Sequence, residues 1–196
     1  TVAIIGCGTI GLFAILIAKG MGANRVIGVE VDAKHAEMAR QLGCEVVLTP
    51  NLPDANNPHQ ADPELIDKIQ ELTHGLGVDV AFEMVGHNSA LNNALKMVRR
   101  GGSVVMFGVR NGDIVIEDYH RVVMNGLNLH GVVGRRIFDT WETTRALLEN
   151  HANGIQDAIY NIILSKGGCI VDIDTWEREA FEDTIHSHPK PIIRFV

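Results

Sequence analysis

Over its first two-thirds the chain alternates short apolar runs with stretches whose apolar residues recur every three or four positions. Val2–Ile5 is the first run, the pattern of a buried strand. Residues 10, 13, 14, 17, 18 and 21 then form one apolar face of a helix over Ile10–Met21, closed by Gly22. Arg25–Glu30 predicts a second strand and Ala33–Leu42 a second helix, with Asp32 as its N-cap and Gly43 just past its end. Glu45–Leu48 predicts a short third strand. The pattern then lapses from Thr49 to Pro63, where Pro50, Pro53 and Pro58 sit among Asn and Asp residues; this is a long polar loop, expected to be mobile.

The alternation resumes with a helix over Glu64–Thr73, capped by Asp62 with Pro63 in its first turn. A strand over Val78–Glu83 and a helix over Asn88–Val98 follow. The Gly101-Gly102 turn leads into a strand over Ser103–Phe107. Glu117–Asn125 predicts a shorter helix and Leu127–Val133 a sixth strand. Six strands with intervening helices predict an α/β fold, a doubly wound parallel sheet in the order 3-2-1-4-5-6 with right-handed crossovers. After Gly134 the character changes. Ile137–His151 and Trp176–His186 predict helices; Ile159–Leu164, Cys169–Ile173 and Ile192–Val196 predict strands, an α+β extension of the sheet. The expected division is residues 1–133 and 134–196.

The 196 residues suffice for one domain with a real core. A hydrophobic share of 46%, a charged share of 21% and a net charge of −7 are ordinary for a globular chain and argue against nucleic-acid or anionic-membrane surfaces. No apolar stretch reaches the roughly 18 residues of a membrane span. Three scattered cysteines without metal-type spacing, and an opening that runs straight into a core strand, lead us to expect a reducing cytoplasm and no secretory leader.

The chemistry concentrates where the first strand meets the first helix. Gly6-Cys7-Gly8-Thr9-Ile10-Gly11 has the G-x-G-x-x-G form between a strand and an amphipathic helix. Gly6 permits the tight turn, Gly8 leaves room for a pyrophosphate, and Gly11 lets helix and strand pack closely; the free N–H groups around Thr9 to Gly11 point at the phosphates. Glu30 lies 19 residues beyond Gly11, where an acid accepts the adenosine ribose hydroxyls and repels a 2′-phosphate; Val31 and Asp32 follow it, not Arg, which favours NAD over NADP. His35, one turn into the second helix, is a candidate ribose or phosphate contact, and equally an ordinary exposed histidine. No H-E-x-x-H, C-x-x-C or G-x-S-x-G occurs, and neither tyrosine has Lys four residues on. No catalytic or metal-ligating residue is therefore assigned; His186-Ser187-His188 reads as surface histidine.

The chain resembles the cofactor-binding part of the medium-chain, zinc-dependent alcohol dehydrogenases, and within them the threonine dehydrogenase branch most. The likeness rests on Val2–Gly11, Val29–Asp32, Met38–Gly43, Gly77–Glu83, Gly101–Val104 and above all Gly131–Trp141. It implies a Rossmann sheet that binds NAD. It also implies contacts from Ile10 behind the turn, from Phe107, Gly108 and Val109 beside the nicotinamide, and from Val132 and Val133 to its carboxamide. Further implications are a parent enzyme oxidising a small secondary alcohol, zinc and proton relay in a preceding domain, and a homodimer or homotetramer joined through the edge strand 127–133. Residues 134–196 would then be returning chain of the catalytic domain. Two other readings share the glycine turn: a non-enzymatic NAD- or nucleotide-sensing domain, and, ranked lower, a methyltransferase.

Overall fold

The computed structural model describes residues 1–195. Four short strands come first along the chain: β1 (Val2–Ile5), β2 (Val26–Val29), β3 (Val46–Leu48) and β4 (Val78–Glu83). With β5 (Val98–Met106) and β6 (Asn128–Gly131) they form one all-parallel sheet in the order β3-β2-β1-β4-β5-β6. The order reverses between β1 and β4, so the loops leaving their carboxyl ends diverge and open a crevice. In register, Ile5 at the end of β1 stands between Val29 of β2 and Glu83 of β4.

Two apolar layers hold the sheet. On one face α1 (Thr9–Gly20) and α2 (Ala33–Gln41) bury Leu12, Ile15, Ala36 and Ala39 against Ile4 and Val26. On the other, α3 (Pro63–Leu72) and α4 (Asn88–Met97) bury Leu65, Ile69, Leu91 and Leu95 against Ile5, Ile27 and Val104. Capping follows the sequence: Asp32 accepts from the His35 N–H, and Asp62 accepts from the Glu64 N–H with Pro63 opening the helix.

The outer elements depart from the sequence pattern. Gly101-Gly102 lies inside β5, not before it: Val78 pairs with Val98 and Val80 with Ser103, so two steps on β4 face five on β5. This is a bulge, with Gly101 at a φ of +66°. The sixth strand shrinks to Asn128–Gly131, and α5 before it to Tyr119–Met124.

The predicted strand over Ile159–Leu164 is helical. It continues α7 (Ile155–Ala158) as one wide turn through Ile163. Ile155 and Ile163 are buried against α1 and α2, and Ile155 fills the space a side chain on Gly20 would take. Alone, Ile159–Leu164 is compatible with strand or helix; with Ile155 and Ala158 its apolar residues at 155, 158, 159, 162 and 163 fall at helical spacing, and the apolar face of α1 they cover makes the segment a helix.

The remaining tail holds α6 (Asp139–Glu149), α8 (Arg178–Ser187), and a two-stranded parallel sheet of β7 (Ile170–Asp172) with β8 (Ile192–Arg194). Of the predicted strand over 192–196, Val196 lies outside the described residues. Among the described residues no helix is long and apolar enough to cross a membrane.

Candidate functional site

The turn between β1 and α1 is built as the glycine spacing predicts. Gly6 has a φ of +88°, a left-handed conformation that glycine adopts freely. A Cβ on Gly11 would run into the Gly6 carbonyl oxygen. Gly8 differs: it precedes α1 in extended conformation, and nothing lies within 4 Å of where its Cβ would stand. The turn is therefore closed behind and open in front, as a backbone cradle for an anion must be.

Glu30 braces this cradle. The residue is buried, 8% exposed. One oxygen accepts from the Cys7 N–H at 2.6 Å, the other from the Val31 and Asp32 N–H groups at 2.8 and 2.9 Å. An acid at the end of β2 thus ties the loop after β1 to the loop after β2. Beneath it, burial pushes the Cys7 thiol up to about 12, with smaller contributions from Cys44 and Glu30.

A cleft of about 380 Å³ opens beside the turn. Gly6, Gly8, Glu30 and His35 all line it, so these four residues singled out from the sequence come together. Its apolar walls are Val31 and Val85, and one side is Pro50-Asn51-Leu52-Pro53. The long polar loop is therefore part of the site, and it is pinned: the Asn51 N–H donates to Asp62 (2.7 Å), the Asp62 N–H to Asn93 (2.7 Å), and Asn92 to the His59 carbonyl (2.7 Å).

The other predicted residues fall on the far side of the turn. Ile10, Phe107 and Val132 line an apolar hollow of about 550 Å³ with Phe13, Ile17 and Phe82; Met84 lines both this hollow and the cleft. Gly108 sits where a Cβ would press on Gly86 and the Glu83 carboxylate. Val109 and Val133 are almost fully exposed and line neither cavity. Gly11 is buried behind the turn, and the Thr9 hydroxyl donates to the Pro189 carbonyl, which brings the tail to the start of α1.

Sequence reasoning passed over Glu83, the counterpart of Glu30 at the end of β4. Its carboxylate accepts from the Val85 and Gly86 N–H groups, both at 2.8 Å, and its carbonyl accepts from Phe107 and Gly108, both at 2.9 Å. The signal was available: each acid closes a parallel strand and precedes a loop at the sheet's reversal point. Among the described residues no three His, Cys, Asp or Glu side chains are grouped to hold a metal ion.

Residues 9–150 match the family model described as zinc-binding dehydrogenase. Among curated proteins the chain is 32% identical over 158 residues to the L-threonine 3-dehydrogenase of Bacillus licheniformis, covering 81% of this chain and 43% of that protein. It is 34% identical over 148 residues to the enzyme of the same name from Bacillus velezensis, covering 76% and 40%. Among solved structures, 2R,3R-butanediol dehydrogenase from Bacillus subtilis superposes with a TM-score of 0.74 at 24% identity, over 100% of this chain and 50% of that one. The chain thus spans two-fifths to half the length of these relatives.

Proposed function

Because the chain belongs to the zinc-binding dehydrogenase family, we propose that it is the NAD-binding part of an enzyme that oxidises a secondary alcohol, L-threonine or a related amino alcohol or polyol, to a ketone. One observation carries the cofactor reading: an anion cradle open only in front of Gly8, braced by the buried Glu30 carboxylate at the mouth of an apolar cleft. Gly6 to Gly11 hold the pyrophosphate through backbone N–H groups. Glu30 faces the adenosine ribose and disfavours a 2′-phosphate. The apolar hollow of Ile10, Phe107 and Val132 takes the nicotinamide side and keeps water from it. When bound, the nicotinamide supplies a hydride acceptor at C4 and the parent's zinc a Lewis acid for the substrate hydroxyl.

In this reading zinc is held by residues of the parent outside these 196, and residues 134–196 complete its catalytic domain. The chain alone binds NAD and turns over no alcohol. The three free cysteines support a reducing, cytoplasmic setting. Strand β6 ends the sheet with all four residues exposed, which supports pairing with a second copy along that edge. Light scattering is expected to give a dimer or tetramer, and a monomer overturns the pairing.

Titration of the chain with NAD, NADP and S-adenosylmethionine tests the cofactor reading. Preferential NAD binding is expected. A preference for S-adenosylmethionine or NADP overturns it, and alcohol oxidation by the isolated chain overturns the assignment of catalysis elsewhere.

A further inference from the structure

Helix α4 carries an unusual load of buried polar side chains: Asn88, Ser89, Asn92 and Asn93 are all at least nine-tenths buried. Such groups are expected to have partners. Asn88 exchanges two hydrogen bonds with the backbone of Val115, donating at 2.7 Å and accepting at 2.8 Å. Asn92 donates to the carbonyls of His59 and Val115 and accepts from the Glu117 N–H. Both are fully used in pinning loops.

Asn93 and Ser89, one turn apart on the same helix, are different. Asn93 accepts at Oδ1 from the Asp62 N–H at 2.7 Å. That N–H can only donate, so the amide orientation is fixed and Nδ2 points the other way. Among the described residues neither Asn93 Nδ2 nor Ser89 Oγ has a hydrogen-bond partner. Both residues line the cleft beside Glu30. Neither atom is sealed from solvent without a partner, a condition found among the described residues only at Asn57 Oδ1. The cleft thus combines apolar walls (Val31, Val85, Pro50 and Leu52) with two unused polar groups on a rigid helix. That is the composition of a site that takes a flat ring and reads its edge.

We infer that Asn93 Nδ2, with Ser89 Oγ beside it, reads the edge of the adenine base, in a slot whose outer wall is the Pro50–Pro53 segment. The inference rests on the NAD reading above. Adenine is tethered to its ribose at N9, and the ribose lies at Glu30. The edge that enters the cleft is therefore the one opposite N9, carrying N1 and the 6-amino group. An amide donor matches N1 as an acceptor, and the serine oxygen accepts from the amino group. Hypoxanthine turns N1 into an N–H and meets the Asn93 amide donor to donor. A site built to bond a polar edge rejects the ligand that leaves its groups opposed.

The test is calorimetric binding of NAD, nicotinamide hypoxanthine dinucleotide and ADP-ribose to the chain and two variants. The unaltered chain is expected to favour NAD over the hypoxanthine analogue by on the order of tenfold. Asn93→Asp keeps Oδ1 for the Asp62 N–H and the same shape but replaces the donor with an acceptor. It is expected to reverse the preference while ADP-ribose follows NAD. Ser89→Ala, which leaves every named loop contact intact, is expected to weaken NAD several-fold. Tight NAD binding with no discrimination between bases, or equal losses for both dinucleotides in Asn93→Asp, overturns the base-reading role and leaves the NAD site standing. Failure of the unaltered chain to bind any of the three overturns the NAD site and the inference with it.

Discussion

Glu30 reaches from the end of β2 to the turn after β1, where its Oε2 lies 2.6 Å from the Cys7 backbone nitrogen. The side chain proposed to meet the ribose is thereby also a strut of the turn. Three backbone N–H groups converge on one buried carboxylate. Glu30→Gln keeps the volume but turns an amide nitrogen toward at least one of those donors. Charge-assisted bonds in a desolvated position are worth about 1.5–3 kcal/mol each, so the variant is expected to lose about 2 kcal/mol of stability as well as NAD affinity. Urea unfolding checks the first and NAD titration the second; an unchanged unfolding midpoint would remove Glu30 as a brace.

The two glycines flanking the cradle separate folding from binding. Gly11→Ala pushes a methyl group into the Gly6 carbonyl, so both stability and NAD binding are expected to fall. Gly8→Ala meets no atom within 4 Å and needs no left-handed backbone. Its thermal unfolding is expected to stay close to the parent chain's, while NAD affinity falls at least tenfold as the methyl group takes up space in front of the turn. Equal NAD affinity in Gly8→Ala and the parent chain would show that no pyrophosphate lies against that face.

The strands of the sheet's centre and their order were legible because burial on both faces writes continuous apolar runs, and the glycine turn because its spacing is tied to backbone geometry. Ile159–Ile163 was not. Taken alone, its few residues suit a strand as well as a helix; only together with Ile155 and Ala158 does the helical spacing 155, 158, 159, 162 and 163 show, on the face that covers α1. The role of Pro50–Pro53 was hidden for another reason. A polar, proline-rich loop reads as solvent-facing, and its place is set by Asn92 and Asn93, some forty residues away in sequence. At the site the sequence identified Glu30 but not what Glu30 holds, since its hydrogen bonds are to backbone, which no side-chain motif records.

Cys7 and Cys44 both approach Gly28 of β2: a Cβ there would lie 3.2 Å from one sulfur and 3.4 Å from the other. Burial pushes both thiols up to about 12. At pH 8 both are therefore held as thiols, not as the reactive thiolate. A disulfide reagent is therefore expected to leave both unmodified in the folded chain and to modify them on unfolding in guanidinium. Prompt reaction of either at pH 8 would show that the layer beneath the turn is open to solvent.

Glu117 makes the loop beside the cleft sensitive to acid. It accepts from Lys96 Nζ at 2.6 Å and from the Ala61 N–H at 3.2 Å. Partial burial opposes its charge, but the Lys96 and Ala61 bonds, with the nearby His59, outweigh that and hold its carboxyl below the usual glutamate value. A depressed folded pKa stabilises the fold fully above the unfolded value of about 4.3 and loses that contribution as pH falls through the lower, folded value. The pair is partly exposed, so the contribution is about 1 kcal/mol or less. Between pH 5 and pH 3 the parent chain is expected to lose this increment, and Glu117→Gln, which lacks the titrating group, to show a shallower fall in Tm. The local readout is hydrogen exchange at the Ala61 amide, expected to quicken in the parent chain across the same interval. Parallel pH profiles for the two proteins would place the acid sensitivity elsewhere in the fold.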